Sequence, residues 1–208
     1  MSRRGILAAL AAIGIAASML ASEPEEKKPP EGPKPPPEVE KLGYFLGPWT
    51  SEGEIKSGPM GPGGPTQGRD ICRWMPGKFF VGCMMESKGP MGLIQVQGIM
   101  GYDAEKKVYR WWSFDNMGQA QTATGTLQDG TWTWSGESKM GDKVVKTRYV
   151  ISDTKPEGYA FKYESSPDGK AWSPVMTGKV SKMVPRQAPT PGVGMKPPAP
   201  QATPEKKN

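Results

Sequence analysis

The chain has 208 residues, 27 Lys plus Arg, 21 Asp plus Glu, a net charge of +6 and no histidine. Without histidine there is no imidazole general base, no Ser-His-Asp triad and no His-ligated zinc or haem. The charges are scattered rather than gathered into a basic stripe, so the positive balance does not mark a nucleic-acid binder.

Residues 1–22 read as a signal peptide. Arg3 and Arg4 precede the apolar, small-residue run "GILAALAAIGIAASMLA", and the residues around Ala21 and Ser22 suit signal peptidase. Export to the periplasm or the extracellular space follows, with no membrane span once the signal is cleaved. Residues 23–41 begin "EPEEKKPPEGPKPPP", a Pro, Glu and Lys composition with almost nothing apolar to bury, and read as a flexible linker. Residues 184–208 repeat that composition as a disordered Pro-rich tail. Seven of the 23 prolines lie in each of these flanks, which leaves nine for everything between. Either flank offers a contact for an envelope protein or the cell wall.

Between the flanks, residues 42–183 read as strand after strand. "PPEVEKLGYFLGP" holds one short helix, ended by Gly47-Pro48. Ten runs rich in Val, Ile, Thr, Trp, Tyr and Phe follow: 49–56, 67–74, 79–87, 93–102, 108–115, 120–127, 131–138, 143–152, 158–165 and 175–183. Turn chemistry separates them, including Gly77-Lys78, "GPMG", "DNMG", Asp129-Gly130 and "SPDGK". "DNMG" reads as a hairpin tip, not a metal site. Alternation supports half-buried strands: Trp132 and Trp134 share one face, as do Tyr159, Phe161 and Tyr163, while Lys162 and Glu164 lie opposite. Ten antiparallel strands with no covering helices leave exposed edges, which closure into an up-and-down barrel removes.

Cys72 and Cys83 flank "RWMPGKFFVG". With Gly77-Lys78 as a two-residue turn, Trp74 faces Val81 and Cys72 faces Cys83. Opposed Cα atoms in an antiparallel pair are about 4.5–5.5 Å apart, within reach of a disulfide. An exported chain with two cysteines favours that bond. The spacing suits neither a redox pair nor a metal site.

Glu52, Glu54, Asp70 and Glu86 are taken as exposed strand charges, since nothing brings two of them together for acid–base chemistry. The seven tryptophans can either fill the interior or stack on an apolar ligand. Trp74, Trp111 and Trp134 are the candidate ligand wall, ahead of Trp49. Arg73 shares strand parity with Ile71, and Arg148 with Val144 and Val150; an inward arginine would select an anionic head-group.

Several segments together resemble a known family. "GPWTSEGE", "RWMPGKFFVG", "GLIQVQGIMGYDAEKKVYRWWSFDNMG" and "GYAFKYESSPDGKAWSPVMTGKVSK" are similar to the bacterial domain-of-unknown-function family fifteen-seventy-nine. The resemblance covers about residues 42–182. It implies a calycin-like antiparallel barrel, related in fold to lipocalins, fatty-acid-binding proteins and nitrobindins. It also implies that a basic side chain near the last strand, Lys179 or Lys182, covers Trp49. Nitrobindin-like relatives hold haem iron through histidine, which this chain lacks, so no cofactor is expected.

The reading is therefore an all-β protein: one up-and-down calycin-like barrel of about ten strands between a signal helix and Pro-rich tails. The function it suggests is non-enzymatic binding of a small apolar or amphipathic ligand. The alternative is a structural or interaction module of the envelope with a solid barrel core.

Overall fold

The structure is a computed structural model that describes residues 32–58, 61–140 and 142–183. The expectations for the signal peptide, most of the linker and the Pro-rich tail fall outside these residues.

Ten strands form: β1 (Gly47–Ile55), β2 (Gly64–Trp74), β3 (Val81–Gly89), β4 (Gly92–Asp103), β5 (Val108–Asp115), β6 (Ala120–Gln128), β7 (Thr131–Met140), β8 (Lys143–Lys155), β9 (Gly158–Ser166) and β10 (Ser173–Lys182). Each pairs antiparallel with its neighbours in sequence. β1 then pairs with β10, from Trp49 opposite Lys182 to Ile55 opposite Met176, and closes the barrel. All ten expected strands are present, most of them longer by one to three residues at an end. The added residues carry weak strand propensity, and ladder pairing recruits them regardless.

Local chemistry sets the register. Asp129 (φ 48°) and Gly130 (φ 76°) both lie at positive φ, as a two-residue primed turn requires, and hold β6 against β7 with Gln128 opposite Thr131. A tight turn over Pro76–Lys78 places Trp74 opposite Val81 and Cys72 opposite Cys83. The two sulfurs are bonded, with the Cα atoms 4.1 Å apart.

One end of the barrel is plugged. A single helical turn, α1 (Pro37–Glu40), continues into a tighter turn over Lys41–Phe45. Pro37 occupies the first helical position, where its missing N–H is not needed. Val39 (2 % exposed) and Leu42 (0 %) are buried among Phe45, Val81, Tyr109, Trp132 and Ile151. Three side chains fasten the plug through four hydrogen bonds. The Tyr44 hydroxyl donates to the Lys155 and Gly158 carbonyls (3.0 and 3.1 Å), the Tyr109 hydroxyl to the Glu38 carbonyl (3.1 Å), and Trp49 Nε1 to the Phe45 carbonyl (2.8 Å). The ordered fold thus starts before residue 42, the boundary expected from composition. A single apolar residue, Val39, is enough to draw the end of the Pro-rich stretch into the core. Burying a valine or leucine contributes about 1.5–3 kcal/mol.

The disulfide closes a short loop, at a sequence separation of 11 residues. Replacing both Cys72 and Cys83 by alanine should lower unfolding stability by about 3 kcal/mol, read from urea denaturation midpoints. Two free thiols in non-reducing peptide maps of the native protein would contradict the bond.

Candidate functional site

The inward rows of the strands do not fill the barrel. Above the plug lies a cavity of about 490 Å³, open at the end away from the plug. Its floor includes Phe45, Trp49 and the Cys72–Cys83 bridge. Trp111, Trp134, Met85, Val96, Tyr149 and Phe161 form much of the wall, and Met91, Ile94 and Met117 stand near the rim. Ten strands enclose more cross-section than their own inward side chains occupy; about eight is the number that side chains just fill.

Glycines seat the large rings. A Cβ on Gly98 of β4 would fall inside the Trp111 ring, and one on Gly125 of β6 would come within 2.6 Å of Trp134. The indoles therefore lie flat over bare backbone and leave the centre open. Trp134 stacks on Trp132 (centroids 5.9 Å apart, planes 4° apart), and Tyr149 stacks on Phe161 (5.3 Å, 18°). Pairing between β6 and β7 runs only as far as Ala123 opposite Gly136. Beyond it the two strands part, and a groove bordered by Gln121, Glu137, Lys139 and Val144 opens beside the mouth.

One charged side chain stands deep in this apolar space. Asp70, on β2, lies opposite Trp49 on one side and Met85 on the other, and its carboxylate lines the cavity. Among the described residues it has no hydrogen-bond or ion-pair partner. Burial alone raises its pKa to about 6. Two phenols reach toward it from the far wall. Burial, the neighbouring Tyr159 and the Asp70 charge hold the Tyr149 pKa well above its usual range. Burial, Asp70 and Tyr44 raise Tyr159 likewise. Neither hydroxyl has a hydrogen-bond partner among the described residues, yet both side chains border the cavity and keep some accessible surface. The other charged residues bordering the cavity, Glu86, Asp115, Glu137 and Lys139, lie toward the mouth. Asp115 is already engaged: it accepts from the Met117 and Gln119 N–H groups (2.9 and 2.8 Å) and ties down the hairpin tip.

The expected site residues divide. Trp111 and Trp134 line the cavity. Trp74 does not: it sits beneath the plug, where a Cβ on Gly43 would come within 3.6 Å of its ring. Trp49 forms part of the cavity floor, with Lys182 Nζ 5.0 Å from its ring centroid, so Lys182 and not Lys179 covers it. Neither arginine faces inward. Arg73 is exposed and has the opposite parity to Asp70 and Cys72. Arg148 lies on the outer wall, bonded through Nε to Glu164 (2.6 Å) and 4.2 Å from the Trp172 ring centroid. The aliphatic residues that had suggested an inward face for them, Ile71, Val144 and Val150, belong to the outer face, and Val144 is 58 % exposed. Asp70 is the residue that reading missed. Its signal was present: once Cys72 and Cys83 are paired as interior residues, strand alternation turns Asp70 inward and Arg73 outward.

This architecture defines a calycin-like barrel: closed, antiparallel, plugged at one end and hollow above the plug. The chain belongs to the family described as "Protein of unknown function (DUF1579)", which it matches over residues 34–182. Among solved structures it is similar to Rv2717c from M. tuberculosis, with a TM-score of 0.53, 10 % identity, and coverage of 73 % of this chain and 100 % of that one. At that identity the likeness is one of fold alone. No curated protein matches the chain.

The Asp70 pKa has a consequence for stability. A carboxyl that titrates at about 6 when folded and near 3.8 when unfolded is protonated on both sides below 3.8, with no penalty. Between these values the folded state holds the extra proton, so stability falls as pH rises, and the loss is complete above 6. Two units correspond to roughly 3 kcal/mol. Asp70→Asn should therefore stabilise the protein by about 2–3 kcal/mol at pH 8 and by little at pH 4, in urea titrations at both values. Equal effects at the two pH values would contradict a buried, unpaired carboxyl.

Proposed function

We propose that this is an exported, non-enzymatic binding protein that carries one small apolar or amphipathic ligand inside the barrel. The cavity carries this reading. Its size falls within the range of about 300–1,000 Å³ common to small-molecule sites, and its wall is aromatic and thioether-rich. A plug at one end and an open mouth at the other give a ligand one axial route. The disulfide suits an oxidising location outside the cytoplasm. Haem ligated by histidine has no ligand to use, because the chain contains none.

The alternative of an envelope module assumes a solid barrel core, and the cavity among the described residues favours the carrier reading over it. Contacts made through residues 184–208 rest on composition alone.

Native mass spectrometry of protein purified from its own host should find a bound small mass. The neutral fluorescent reporter 1-aminoanthracene should bind the emptied protein with a stoichiometry of one. Ala123→Phe, which places a ring into the cavity from β6, should abolish both while the fold survives by circular dichroism. A protein that carries no mass and does not bind the reporter would overturn the carrier reading.

A further inference from the structure

The interior gives the ligand a head-group as well as a tail. Among the described residues Asp70 is the one charge deep in the cavity, and none of them neutralises it. Lys182, at the closed end, is engaged over the Trp49 ring and forms no ion pair with it. The Tyr149 and Tyr159 hydroxyls also lack partners, while no fully buried side-chain nitrogen or oxygen among the described residues is left unsatisfied. The unpaired groups are thus the ones that keep surface toward the cavity. Asp70 comes from β2 and the two phenols from the adjacent strands β8 and β9 across the barrel, so the carboxyl and the phenols face one another only through its interior.

We infer that the barrel takes a cationic amphiphile, whose protonated amine sits against Asp70, Tyr149 and Tyr159 and whose apolar tail extends toward the mouth. The inference rests on the carrier reading and narrows it. An ammonium group offers three N–H donors, and one carboxylate with two phenols supplies three acceptor groups. The charge pair forms in apolar surroundings, where attraction is stronger than in water. The aromatic lining, with Trp111, Trp134 and Tyr149 in it, suits a cation better than an anion. A carboxylate-headed amphiphile would bring like charge to Asp70 and is disfavoured. This selectivity is the opposite of the one that inward-facing arginines would have given.

The complex needs Asp70 ionised and the amine protonated. The groups facing Asp70 leave that window open at neutral pH. Trp49 on β1 and Cys83 and Met85 on β3 do not titrate in this range. Tyr149, Tyr159 and the adjacent Tyr44 have raised pKa values and stay neutral. Lys182 on β10 stays on the Trp49 ring.

The test compares decylamine, decanol and decanoate by isothermal titration calorimetry on the full chain with its disulfide intact, and on Asp70→Asn. At pH 7.5 decylamine should bind more than about tenfold tighter than decanoate, and Asp70→Asn should erase that preference. With the native chain, decylamine affinity should fall by up to about tenfold between pH 7.5 and 5.0, as Asp70 takes up its proton, while decanol affinity stays level. Decanoate binding as tightly as decylamine at pH 7.5 would overturn this inference and leave the carrier reading standing. So would an amine preference that survives Asp70→Asn. If none of the three probes binds, the carrier reading falls and this inference with it. If Asp70→Asn does not fold, the pH series on the native chain decides: an unchanged decylamine affinity overturns the proposal.

Discussion

The pairing of β1 with β10 is the constraint on which the rest depends. Seven residue pairs, from Trp49 with Lys182 to Ile55 with Met176, join the first strand to the last. Closure removes both sheet edges, which would otherwise expose unpaired backbone groups. It also fixes the circumference at ten strands. A barrel that wide cannot be filled from its own wall, so its interior must be filled by something else or stay partly empty. The chain does both. Residues 37–45 are spent as a plug at one end, and the other end remains hollow.

The plug and the cavity share one set of aromatic contacts. Phe45 packs edge-on against Trp132 (5.2 Å), Trp132 stacks on Trp134, and Trp134 meets Trp111 (6.5 Å) in the cavity wall. Trp49 joins the two regions, since its indole N–H is tied to the plug while its ring forms part of the floor. The floor is therefore anchored by packing and hydrogen bonds rather than held by loops. Against that apolar background an unpaired carboxylate is costly, because burial penalises its charged form. Its retention at Asp70 departs from what stability alone favours, and such departures concentrate where a protein meets a ligand.

Much of the architecture was legible because barrels write period two into their strands. Trp132 with Trp134, and Tyr159 with Phe161 and Tyr163, declared their shared faces directly. The Gly77-Lys78 turn fixed the Cys72–Cys83 register by counting alone. What misled was the identity of the inner face on β2 and β8. Ile71, Val144 and Val150 look like core residues, yet they sit on the outer wall, where scattered aliphatic residues are common. On these two strands it is Cys72 and Tyr149 that mark the interior. The same parity that hides Arg73 and Arg148 from the cavity places Asp70 within it. Alternation states which residues share a face; only three-dimensional closure states which face is inside. The plug was half legible, as a short helix in the right place, but nothing local indicates that Val39 reaches the core.

A direct measurement of the Asp70 carboxyl is the most decisive test of this account. Carbon-13 NMR titration of the side-chain carboxyl, assigned with Asp70→Asn, should give a pKa of about 6 in the ligand-free protein. A value near the ordinary 3.8 would mean that the carboxylate is solvated or paired, and would contradict a desolvated, uncompensated acid at the barrel's centre.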